Sequence, residues 1–155
     1  MTLVSAHTSM LAITVAIAAI LALSVPDNFD PDANMLTNES GLHSVRDTIK
    51  CSARLVEQGK PEDLELAGKL IDAVLECQER RPEDANYGNF LWYKEGEVVE
   101  DLNGVSFTLN TMIPMMIRHG DRLQPELRLR VLESIRLGLD ATARLDVSPG
   151  YTNIA

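Results

Sequence analysis

From Leu42 onward apolar residues return at steps of three and four, the spacing of one face of an α-helix. Leu42, Val45, Ile49, Ala53 and Val56 define a first helix over 42–58, stopped by Gly59. Pro61, followed by Glu62 and Asp63, marks a second start: proline suits the first helical position and acids suit the first turn. Leu64, Ala67, Leu70, Ile71, Val74, Leu75 and Cys77 carry a broad apolar face to about Glu79. The connection between these helices is short enough to force them antiparallel. A third helix is predicted over 102–119, with Val105, Leu109, Met112, Ile113, Met116 and Ile117 as its stripe. Pro114 interrupts it and predicts a kink or a lost hydrogen bond near Asn110. Gly120 and Asp121 end it. Pro125 and Glu126 then open a fourth helix running to about Leu145, with Leu127, Val131, Leu132, Ile135, Leu139 and Ala143 facing inward.

The intervals are of two kinds. Residues 25–41 combine prolines with Asp and Asn and are expected to form a polar linker without regular structure. Residues 80–101 contain Pro82, Gly88 and Gly96 and read as a long loop, with at most a brief strand at Glu97–Val99. The segment 150–155 reads as the start of a fifth helix. The expected fold class is all-α, built from antiparallel helical hairpins. Two such hairpins have apolar faces too broad to cover each other, so 42–155 is expected to be an incomplete domain of a larger array.

Charge narrows the partners. Lys and Arg number 14 against 23 Asp and Glu, a net charge of -9. That excludes nucleic acid held through its phosphates, which requires clustered positive charge. Residues 1–24 contain the uncharged run Met10–Leu23, about 14 residues, where a spanning helix needs roughly 20. The run fits a secretory signal, with small Ala22 and Ser24 placed for cleavage, although residues 1–9 hold His7 and no Lys or Arg. A secreted or extracellular protein is the expectation; the alternatives are a buried N-terminal helix or an uncleaved membrane anchor. Cys51 and Cys77 lie about 8 residues before and 18 residues after the hairpin turn. That offset is roughly 15 Å along the axis, so both read as core residues and not as a disulfide. No CxxC or HExxH spacing occurs, and no metal or other cofactor is expected.

Two groups of residues could carry chemistry. Tyr87, Phe90, Trp92 and Tyr93 crowd the long loop with Asn89, and Asp101 and Asn103 follow. Aromatic rings stack on the C–H faces of sugars while amides and carboxylates bind hydroxyls. The alternative is that Phe90 and Trp92 plug the hairpin ends while Asn89 bonds loop backbone. His43, Arg46 and Asp47 fall at i, i+3 and i+4, one face near a helix start. Arg46 suits a carboxylate, and His43 or Asp47 suits proton transfer; the alternative is a capping and ion-pair cluster. The arginines of the fourth helix (Arg128, Arg130, Arg136, Arg144) read as a solvated face, with Glu126 and Arg130 as a surface pair. Met112, Met115 and Met116 read as core.

The segments His43-Ser-Val-Arg46-Asp47, Tyr87-Gly-Asn89-Phe-Leu-Trp92-Tyr93 and Gly150-Tyr151-Thr152-Asn153-Ile154-Ala155 together resemble an uncharacterised group of bacterial and fungal proteins. That group has the six-hairpin (α/α)6 toroid fold of glycosidases and polysaccharide lyases. The resemblance spans 42–155 and implies the N-terminal portion of such a toroid. It implies binding or processing of an oligosaccharide or polysaccharide, by hydrolysis or by β-elimination. For elimination it implies His43 or His119 with Tyr151 as base and acid, and Asn153 and Arg46 at a uronate. Glycosidases need two carboxylates flanking the bond, for which Asp47, Asp101 and Glu100 are candidates. His119, beside Arg118 at a helix C-terminus, also reads as a cap. The rival reading is a non-catalytic helical-repeat scaffold that binds protein.

Overall fold

The computed structural model describes residues 25–145. The sequence-expected signal or anchor, the fifth-helix start, Tyr151 and Asn153 all lie outside these residues. The elements in order are β1 (Phe29–Asp30), β2 (Met35–Leu36), α1 (Val45–Gln58), α2 (Pro61–Glu76), α3 (Gly104–His119), a 3-10 turn (Gly120–Arg122) and α4 (Pro125–Arg144). The fold is mostly helical, as the spacing predicts. α1 and α2 form one antiparallel hairpin and α3 and α4 a second; α1 also packs on α3, while α2 and α4 touch less. Ile49, Val56, Leu70, Ile71, Val74, Val105, Met112 and Val131 meet in one fully buried core. Each contributes about 1.5–3 kcal/mol by leaving water.

The expected linker is not structureless. β1 and β2 pair antiparallel, with Phe29 opposite Leu36 and Asp30 opposite Met35. The turn between them is closed by the Asp30 carboxylate, which accepts the Asp32 N–H at 2.9 Å. Asn34 supplies a left-handed backbone with φ 51°. Asn and Asp are suited to both tasks. Met35 and Leu36 then plug the core. Two apolar residues in a polar stretch are too few to announce a strand by alternation, which is why the pattern concealed it.

Helix boundaries follow capping rather than the apolar stripe. α1 starts after Ser44, whose hydroxyl accepts the Asp47 N–H at 3.2 Å and donates to the Asp47 carboxylate at 2.8 Å. The hydroxyl thus satisfies one of the unpaired N–H groups of the first turn, as an N-cap serine does, while the Ser44 N–H donates to the Leu36 carbonyl at 2.8 Å. Leu42 and His43 therefore precede the helix, and His43 does not share a helical face with Arg46 and Asp47. Gly59 ends α1 at φ 73°, and the Arg122 side chain occupies the space beside it. From there Arg122 donates to the Val56 and Glu57 carbonyls at 2.9 and 2.6 Å. α2 ends at Glu76, and Gln78 then bridges to Phe90. Glu97–Val99 forms no strand. Pro114 stands inside a continuous α3.

α4 is rotated from its expected orientation. Its buried side is Leu127, Val131, Ser134, Ile135, Leu137, Gly138 and Ala141. Gly138 lies so close to α3 that an added Cβ would meet Val105 and Leu109 methyls at 3.1 Å. A seam of small residues thus brings α4 onto α3 and turns Leu132, Leu139 and Ala143 outward. Leu139 is 50% exposed, Leu129 on the same side 67%, and Ile117 of α3 79%. The arginines of α4 are more engaged than a solvated face requires. Arg130 pairs with Asp72 of α2 and not with Glu126, Arg136 pairs with Asp140, and Arg144 donates to the Ala85 and Tyr87 carbonyls.

Candidate functional site

The long connection between α2 and α3 is folded against the end of the bundle where α1 and α3 begin. It runs first beside the end of α2: the Glu79 N–H donates to the Asn89 carbonyl at 2.8 Å and the Leu91 N–H to the Cys77 carbonyl at 3.0 Å. It then runs beside the start of α1, where the Val45 N–H donates to the Trp92 carbonyl at 3.1 Å and the Lys94 N–H to the His43 carbonyl at 3.0 Å. α4 holds it from behind. The buried Gln78 amide donates to the Gly88 and Ser134 carbonyls at 2.8 and 3.0 Å, and the Ser134 hydroxyl donates back to Gln78 at 2.8 Å.

This path carries Trp92 to the first turn of α3. Its ring lies 5.1 Å from that of Phe107, tilted by 50°. The Arg46 guanidinium sits over the other partner of this stack, 4.4 Å from the Phe107 ring centre, a cation–π distance. Among the described residues Arg46 makes no ion pair, and its buried Nε has no hydrogen-bond partner. A cation held on an aromatic face, with no carboxylate to neutralise it, keeps its capacity to bind one.

His43, just before α1, has only 17% of its side chain exposed. Its Nε2 meets Asp30 of β1 at 2.9 Å and its Nδ1 meets Glu95 of the connection. Ionised carboxylates only accept, so the pair favours the imidazolium, in which both ring nitrogens donate. The bond to Asp30 first, and that to Glu95 second, raise the His43 pKa above its ordinary 6.5. Asp30 is lowered mainly by the His43 bond. Burial works to raise Glu95, but the bonds from the His43 ring and main chain outweigh it and the net shift is downward.

The other sequence-selected residues divide by burial. Tyr93 is 37% exposed and Tyr87 is half-buried. Asp47 is exposed and bonded to Ser44. Asn89 is fully buried: its Oδ1 accepts the Phe90 and Val105 N–H groups at 2.7 and 2.8 Å, so it caps α3 from outside the helix. Asn103 is buried, with its main-chain and side-chain N–H groups donating to Asp101 at 2.8 Å each. Glu100 is exposed beside Asp101. His119 lies at the opposite end of α3, about 22 Å along the axis from Gly104, and does not join His43. Phe107, Asp30 and Glu95 were not singled out by the sequence. Phe107 gave a faint signal as an aromatic off the Val105–Leu109 stripe, whereas Asp30 and Glu95 gave none.

Away from this end, α2 and α4 flank a groove of about 640 Å³ floored by Leu64, Leu123 and Leu127. Both cysteines are buried thiols, and burial pushes Cys77 up to about 11. Among the described residues no cluster of His, Cys, Asp or Glu is arranged to hold a metal ion, and no helix is long and apolar enough to cross a membrane. Compared with known proteins, the chain matches no family model, no curated protein and no solved structure.

Proposed function

We propose that the end of the bundle where α1 and α3 begin binds an oligosaccharide, and that the two hairpins are part of an α/α toroid working outside the cytoplasm. The observation that carries the binding reading is the Arg46 guanidinium, without an ion pair among the described residues, over Phe107 beside Trp92, with Tyr93 exposed next to it in the chain. Rings of this kind stack on sugar faces, and the guanidinium donates to a sugar carboxylate or hydroxyl. The apolar run Met10–Leu23 supports export, and the resemblance to six-hairpin proteins supports the sugar. Turnover by hydrolysis or β-elimination would draw on His43, Asp47 and Tyr151, and His43 would first have to give up one of its two carboxylates.

Trp92 is the chain's single tryptophan, so its fluorescence reports this site alone. Titration with neutral and uronate-containing oligosaccharides should shift its emission, and Arg46→Ala should abolish the uronate response while the helical signal persists. An emission that stays constant across the whole panel removes the carbohydrate reading. A second reading, a scaffold that binds another protein, is favoured by the outward Leu129, Leu132 and Leu139 of α4. It stands if charge substitutions on that face abolish association and glycans leave Trp92 unchanged.

A further inference from the structure

His43 ties three segments together, and one of them is weakly held without it. β2 is secure: Met35 and Leu36 are buried, the Leu36 N–H donates to the Thr48 hydroxyl at 3.0 Å, and the Leu36 carbonyl accepts the Ser44 N–H at 2.8 Å. β1 rests on two residue pairs with β2, on the Asn28–Thr37 hydrogen bonds beside them, on the half-buried Phe29 and on the bond from Asp30 to His43. A two-stranded ladder of this length is marginal by itself.

We propose that His43 is a proton-operated latch: the doubly protonated ring holds β1 on the helical body, and loss of one ring proton frees β1. A neutral imidazole keeps one N–H, while two acceptors face it. Glu95 is also held by the His43 main-chain N–H, at 3.1 and 3.3 Å to its two oxygens, which fixes it over Nδ1. The remaining proton therefore stays on Nδ1, and Nε2 turns a lone pair toward Asp30. Asp30 keeps the Asp32 and Ala33 N–H groups at 2.9 and 3.4 Å, so it leaves with its own turn intact.

Among the described residues no other charge competes for the ring. Asp30 faces it from the hairpin and Glu95 from the connection, and these two alone shift its proton by charge. Lys94 meets His43 through the main chain, Asp47 is bonded to Ser44, and Arg46 lies over Phe107. Both carboxylates favour the charged ring, so the latch is closed through mildly acidic and neutral pH and opens as pH rises through the raised His43 value. It also opens in strong acid, when Asp30 and Glu95 are protonated below their ordinary range.

The reporter is the Thr37 N–H, which donates to the Asn28 carbonyl at 2.9 Å and is uncovered when β1 lifts. Hydrogen exchange at Thr37, corrected for intrinsic rate, is measured against pH on the full chain, with the His43 ring titrated by NMR in the same sample. Protection should be flat below 6.5, fall by up to tenfold per pH unit from there to the raised His43 value and level off above it, while the Ile71 amide in α2 is unchanged. Asp30→Asn should bring Thr37 at neutral pH to the alkaline level and remove the step. His43→Gln should do the same; should that variant fail to fold, Asp30→Asn alone decides. Thr37 protection that ignores the His43 titration, a pH step that survives Asp30→Asn, or a His43 pKa at or below 6.5 overturns the latch. None of these readouts involves a glycan.

Discussion

Asn89 and Tyr93 stand four residues apart in one aromatic segment and do opposite things. The Asn89 side chain satisfies two buried main-chain N–H groups at the point where the connection hands over to α3. Asn89→Ala leaves both without an acceptor and should cost roughly 2–4 kcal/mol in urea unfolding; a loss under about 1 kcal/mol would mean that water replaces the amide. Tyr93 is exposed, and Tyr93→Ala should leave stability within about 0.5 kcal/mol while weakening glycan binding. A Tyr93→Ala chain that is markedly destabilised would make the ring a packing residue. Ser44 is a third case: as the N-cap of α1, its replacement by alanine should cost about 1 kcal/mol.

At the scale of elements, two helical glycines differ in what surrounds them. A Cβ on Gly104 would run into the Phe90 carbonyl, which is backbone and cannot yield. A Cβ on Gly68 would meet only a Leu127 methyl at 3.6 Å, an ordinary contact. Gly104→Ala should therefore detach the start of α3 and lower the unfolding midpoint, whereas Gly68→Ala should raise stability by about 0.5–1 kcal/mol. Equal effects from the two would contradict the packing described. All four helices were legible in the sequence, because α1 to α4 each keep apolar residues at steps of three and four and the Gly59–Pro61 and Pro125 signals are strong. The facing of α4 was not. Its inward seam runs through Ser134, Gly138 and Ala141, where closeness of backbone outweighs side-chain hydrophobicity. The surroundings of His43 were hidden for another reason. Asp30 and Glu95 lie 13 and 52 residues away, and nothing local marks either as a partner. Of the candidate site, Trp92, Arg46 and Tyr93 were found by type, but the Phe107 ring that both Arg46 and Trp92 contact was not.

For the whole molecule, pH and surface give two expectations. Because the His43 pKa is raised, its contribution is full below 6.5 and is lost as pH rises through the folded-state value. Asp30, Glu95 and Glu79 are lowered, Glu79 to about 2 by its bond to Arg81, so their contributions fade only in strong acid. Thermal midpoints should thus be highest in mildly acidic to neutral solution and decline on the alkaline side, and His43→Gln should flatten the alkaline limb. The outward face of α4 sets the second expectation. Leu129, Leu132 and Leu139 should drive concentration-dependent association in sedimentation, relieved by Leu132→Glu with Leu139→Glu at unchanged helicity. A wild-type chain that stays monomeric at high concentration would count against hairpins shaped to be covered by further hairpins.

The proposed binding end can be interrogated through one signal. Trp92 supplies the chain's single indole N–H, and its NMR resonance belongs to no other residue. Titrating the full chain with a uronate-containing oligosaccharide should move that resonance saturably in the wild type, and Arg46→Ala should leave it still while the Asn89-capped start of α3 keeps its shifts. An indole resonance that does not move in the wild type, or moves equally without Arg46, contradicts the assignment of this end of the bundle to sugar binding.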